Sequence, residues 1–127
     1  MNKQITVTAS ILGMLAVVAG AFGAHALKKV LSPEHLETWR TAVQYHFYHV
    51  FAILFLAIYA RDGKEVTWPF IFFLLGIICF SGSLYLLSCR DVLKAPGLVK
   101  LGPITPLGGL FFIIGWAWLA VTVLKAK

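Results

Sequence analysis

Charged residues are scarce in this chain and missing altogether from four long stretches of it. Ile5–Ala24, Thr41–Tyr59, Trp68–Leu87 and Leu107–Leu124 hold no Asp, Glu, Lys or Arg. Each such residue costs about 2.5–3.5 kcal/mol at the centre of a membrane helix. Each stretch also has close to the roughly 20 residues that a helix needs to cross about 30 Å of hydrocarbon. About 50 residues remain outside them, divided among two tails and three loops, too few for a separate soluble domain. The mean hydropathy of +0.86 agrees. The sequence predicts one membrane domain over residues 1–127, an all-α, antiparallel four-helix transmembrane bundle.

Acidic residues are the rarest charged class, five Asp and Glu against eleven Lys and Arg. None lies at membrane depth, which argues against the small multidrug antiporters, whose chemistry needs an embedded carboxylate. The Gly–Arg and Phe patterns of small fluoride channels are absent as well. The net charge of +6 is not gathered into a basic, aromatic-interleaved stripe, so no nucleic-acid partner is expected. Basic residues at span ends fit anionic lipid headgroups instead. Cysteine is nearly missing: Cys79 and Cys89 lie ten residues apart, neither a redox pair nor a zinc-ligand spacing. About 15 Å of helix would separate them, too far for a disulfide.

The first run, preceded by Lys3 and followed by Ala24-His25-Ala26, has some look of a secretion signal. It is longer than a usual signal core, and we expect it to be retained as a span. Four spans place both tails beside the 60–66 loop. That face carries Lys3, Arg61, Lys64, Lys125 and Lys127, the other Lys28, Lys29, Arg40, Arg90, Lys94 and Lys100. The positive-inside rule gives no orientation from so even a division.

Helix boundaries are legible in places. Ser32-Pro33 is a strong start, a capping hydroxyl followed by a fixed φ, and nothing breaks a helix from there to Ala60. Leu36, Trp39 and Val43 share one apolar face, and Glu37 can pair with Arg40. The short RDGKE turn at 61–65 requires the second and third helices to be antiparallel neighbours. Thr105-Pro106 suggests a cap and first position for the fourth helix, with Gly108-Gly109 allowing close approach. Gly13, Ala16, Gly20 and Gly23 keep to one face of the first helix, suited to packing in the bundle or to a homodimer seam.

Counting crossings puts nearly every uncharged polar group at membrane depth into one leaflet. His25 ends the first span; Tyr45, His46 and His49 lie early in the second; Ser81, Ser83 and Tyr85 lie late in the third; Thr105 opens the fourth. These eight residues are the candidate ligand-binding set, and hydrogen-bonded fastening of helices is the leading reading. Lys28, Lys29, Arg40 and Lys100, near two helix starts, are candidates for a lipid headgroup. His25, His46 and His49 leave open a metal or haem, with Glu34 or Glu37 completing a shell. No His-x-x-Glu or His-x-x-x-His motif supports that alternative, and no metal or cofactor is expected.

GAFGAHAL (20–27), YHFYH (45–49), FSGSLYLL (80–87) and GPITPLGGLFFIIGW (102–116) together resemble the domain-of-unknown-function 423 family of small bacterial membrane proteins. That family is itself similar to the animal transmembrane protein 256. The resemblance spans almost the whole chain and implies a four-span, multi-pass protein of the bacterial inner membrane. It supplies no reaction. His46 departs from the family pattern, in which glutamine is usual; both side chains donate and accept hydrogen bonds, which favours fastening over obligate ligation. The expectation is a non-enzymatic membrane protein that binds lipid, a small amphiphile or a partner helix, including a second copy. A small transporter or channel is the alternative.

Overall fold

The structure, a computed structural model, describes residues 2–126. Lys127, counted above among the charges of the terminal face, lies outside them. Among the described residues four helical segments are long and apolar enough to cross a membrane: Asn2–Val30, Pro33–Asp62, Thr67–Ser88 and Pro96–Lys125. The second packs against the first on one side and the third on the other, and the third packs along the fourth. This makes the second span the hub and the most buried of the four.

The first span runs straight through Asn2–Ala24 and breaks at His25 before a short helical turn, Ala26–Val30. The Ser32 hydroxyl accepts the His35 N–H at 3.1 Å, with Pro33 in the first turn, and the helix it opens continues to Tyr59. The predicted pairing of Arg40 with Glu37 is present, at 4.0 Å. Gly63, at φ +76°, makes the following turn in a left-handed conformation that glycine tolerates without strain. The Glu65 carboxylate then accepts the Thr67 N–H at 2.7 Å and caps the third span. Hydrogen bonds from the Thr67 side chain and backbone hold that carboxyl below its usual range.

The start of the fourth helix departs from expectation. A 3-10 turn, Pro96–Leu101, leads into a helix from Ile104 to Lys125, with Pro103 at its cap position. Thr105 is therefore inside the helix. Its hydroxyl meets Ser83 of the third span at 2.6 Å instead of capping its own backbone. Cys79 and Cys89 are both free thiols, and burial raises the thiol pKa of Cys89, which lies beyond the end of the third span.

Glycines set the closest helix contacts. The first-span stripe faces the second span: a Cβ on Gly23 would lie 2.7 Å from the Trp39 ring, and one on Gly20 3.6 Å from Val43. The expected small-residue seam is thus filled from within the chain. Gly108 rests directly on the backbone of Phe80, and Gly76 on the Phe112 ring, leaving no room for a Cβ at either. The first of these contacts falls within a π-helical turn of the third span, Ile77–Ser81. Around them lies the apolar core of Ile5, Ile53, Leu56, Phe73 and Phe112, toward the terminal half of the bundle.

Candidate functional site: a polar network in the loop-side leaflet

His46 and His49 are one turn apart on the hub helix, and each ring is held by groups from a different neighbour. His49 Nε2 accepts the Trp116 indole N–H at 3.0 Å. An indole nitrogen only donates, so the imidazole proton sits on Nδ1, which donates to the Tyr45 carbonyl at 2.8 Å. That tautomer follows from the network. The ring also lies flat on Phe112, with centroids 3.5 Å apart and planes 8° from parallel. His49 is therefore fixed on both edges and one face.

His46 turns toward the third span, where its Nδ1 lies 2.8 Å from the Tyr85 hydroxyl. Its Nε2 is buried and has no hydrogen-bond partner among the described residues. Imidazole and phenol can each donate or accept in this bond, which joins the second span to the third. Tyr85 also packs its ring against Trp39, at 4.6 Å between centroids.

Three more bonds complete the fastening. The Ser81 hydroxyl donates to the Ala42 carbonyl of the second span at 2.8 Å, and Ser83 and Thr105 join the third span to the fourth. The Trp39 indole donates to the Ala19 carbonyl of the first span at 2.8 Å. Every packed pair of helices thus shares at least one cross-helix hydrogen bond in this leaflet. Trp39, Phe112 and Trp116 enter the network although the polar pattern did not mark them as site residues. The signal for the two tryptophans is that an indole N–H at hydrocarbon depth needs an acceptor.

The remaining expected residues stand apart. Tyr45 contributes its carbonyl, while its half-exposed ring packs on Phe80 at 4.8 Å. His25 is exposed at the break in the first span, beside Val18 and Phe22, away from both other histidines of the proposed set. Among the described residues no group of three His, Cys, Asp or Glu side chains is placed to hold a metal ion. Lys28, Lys29, Arg40 and Lys100 are all exposed. Arg40 lines a groove of about 230 Å³ between the first and second spans, floored by Gly20, Gly23 and Ala24 and edged by Gln44. At the same membrane face, His35 Nδ1 stands 3.5 Å from the Asp91 carboxylate, on the connection between spans three and four.

Residues 19–109, which carry most of this network, match the family described as "Protein of unknown function (DUF423)". The chain is 40% identical to the UPF0382 membrane protein YwdK of Bacillus subtilis over 97% of its own length and 98% of that protein's. It is 38% identical to a UPF0382 membrane protein of Haemophilus influenzae, over 99% and 97% of the two chains. A Staphylococcus aureus UPF0382 membrane protein is 37% identical over 97% of both. No solved structure matches. With its four apolar spans and full-length likeness to these membrane proteins, the chain belongs to the DUF423 family and is a multi-pass protein of the bacterial cell membrane.

Proposed function

We propose that this is a non-enzymatic membrane protein that binds an anionic lipid at the groove between its first and second spans. In this reading the polar network holds the groove's walls rather than meeting the ligand. His46 Nδ1, both His49 nitrogens, Ser81, Ser83 and Thr105 already have partners inside the bundle, and such fasteners contribute roughly 0.6–2 kcal/mol each. The observation that carries the reading is the Arg40 guanidinium at the mouth of a glycine-floored groove at the membrane boundary. A phosphodiester accepts from the guanidinium, while an acyl chain lies along the outer edge of the groove, past Gly20, Ala24 and the Val43 side chain. Lys28 and Lys29, on the same face, add an anionic bias.

Native mass spectrometry of protein released from detergent with phosphatidylglycerol tests this. Arg40→Gln should reduce retained phosphatidylglycerol by about fivefold, the equivalent of about 1 kcal/mol. Equal retention by both proteins would refute the assignment. A tightly bound metal or haem, lost on His46→Gln, would support the alternative in which the histidines are ligands.

A further inference from the structure

The opposite, terminal face of the bundle carries a second and larger groove, of about 480 Å³, formed where the second, third and fourth spans end together. Its wall is aromatic. Trp68 and Trp118 lie with ring centroids 5.7 Å apart and keep about half of their surfaces exposed. Tyr59 lines the groove as well, with the Lys64 ammonium 4.7 Å from its ring centroid. Trp118, Thr122 and Lys125 follow one another at i, i+4, i+7, so a single helical face carries the groove from an indole to an ammonium group.

Both signs of charge line this groove. Glu65 is occupied in capping Thr67, and Lys64 in its contact with Tyr59. Asp62 and Lys125, in contrast, line the same space without an ion pair to each other or to any described residue. An anionic ligand would meet Asp62 and Glu65 unfavourably, and a simple cation would meet Lys64 and Lys125. A ligand carrying both charges a short distance apart satisfies the two sets together. Indole faces favour the ammonium end, because a cation is attracted to the ring quadrupole. The position, at the level where Trp and Tyr mark the membrane–water interface, supplies such a molecule at high local concentration.

We propose that this groove binds a phosphoethanolamine headgroup, its ammonium held by Asp62 against the Trp68–Trp118 wall and its phosphate by Lys125. The occupant is then a zwitterionic phospholipid of the terminal-side leaflet. This site is independent of the Arg40 groove, which lies on the other face and is read as selecting net negative charge.

The test is native mass spectrometry of the full chain with phosphatidylethanolamine, and separately with phosphatidylglycerol, at equal mole fractions. Asp62→Asn should reduce retained phosphatidylethanolamine by about fivefold and leave phosphatidylglycerol unchanged or increased. Lys125→Gln should also reduce phosphatidylethanolamine, whereas Arg40→Gln should not. Both substitutions at the groove are of exposed side chains, so unchanged helix content by circular dichroism is expected and checks folding. Free O-phosphoethanolamine, added as competitor, separates recognition of the headgroup alone from recognition of the intact lipid. Competition supports a headgroup site; its absence together with Asp62-dependent lipid retention supports a site that also needs the acyl chains. Phosphatidylethanolamine retention unaffected by both Asp62→Asn and Lys125→Gln would overturn the proposal.

Discussion

The strongest test of the network is the pair His49–Trp116, because the geometry separates its polar and apolar contributions. His49→Ala removes an acceptor from the Trp116 N–H, a donor from the Tyr45 carbonyl, and the ring stacked on Phe112. Losing the stack costs about 0.5–1.5 kcal/mol beyond its area, and an unsatisfied polar group in the bundle costs about 1–3 kcal/mol. We expect a total loss of about 2–4 kcal/mol. His49→Phe keeps the ring and most of the volume but neither hydrogen bond, and should cost only about 1–2 kcal/mol. Trp116→Phe removes the donor itself, so Trp116→Phe added to His49→Phe should cost less than the separate effects together. The coupling expected is about 0.5–1.5 kcal/mol. Reversible unfolding in SDS mixed micelles, followed by far-ultraviolet circular dichroism, reads it without relying on the substituted tryptophan. A coupling of zero, with His49→Phe as stable as the native protein, would show that the imidazole is not held by this bond.

The glycine contacts make a second prediction. Gly108→Ala drives a Cβ into the Phe80 backbone and should cost about 1–3 kcal/mol. Its neighbour Gly109 has only the Phe80 ring, 3.8 Å away, and Gly109→Ala should be neutral or mildly stabilising in the same unfolding assay. A third concerns His46: glutamine, like imidazole, can donate to or accept from the Tyr85 hydroxyl, so His46→Gln should change stability by less than about 1 kcal/mol. A loss of several kcal/mol would show that the imidazole does something an amide cannot. Topology is tested by single-cysteine labelling in a Cys79→Ala, Cys89→Ala background. Positions 3 and 63 should label from one face of the membrane and 29 and 94 from the other, and any other grouping rejects the four-span arrangement.

Most of the fold could be read because membrane insertion is governed by strong, local terms. A charge-free run of about 20 residues has few alternatives in lipid, and Ser32-Pro33 begins its helix as its chemistry demands. Thr105-Pro106 carries a similar local signal and yet does not cap. There, the chain before it already turns through Pro96–Leu101, and the Thr105 hydroxyl finds a partner on another helix. Cap preference is worth about 1 kcal/mol, comparable to one cross-helix bond at membrane depth, so tertiary context decides. The π-helical turn at Ile77–Ser81 has no local signal at all; it accompanies the pressing of Gly108 onto Phe80 and the reach of Ser81 to Ala42.

The site was legible as a depth but not as a set of partners. Counting crossings brings His46, His49, Ser81, Ser83, Tyr85 and Thr105 to one leaflet, and they are found bonded there. His25 is at that depth too, but the first span contacts the hub through glycines, and its terminal break turns the ring outward. What depth cannot give is direction. His46 and His49, three residues apart, differ by about 60° around the helix, enough for one ring to meet Tyr85 of the third span and the other Trp116 of the fourth. Two imidazoles committed to different helices stabilise a particular packing order, because exchanging the third and fourth spans would leave both sets of partners unmet. The hydrogen-bonded side chains of the loop-side leaflet therefore specify the order in which the helices pack.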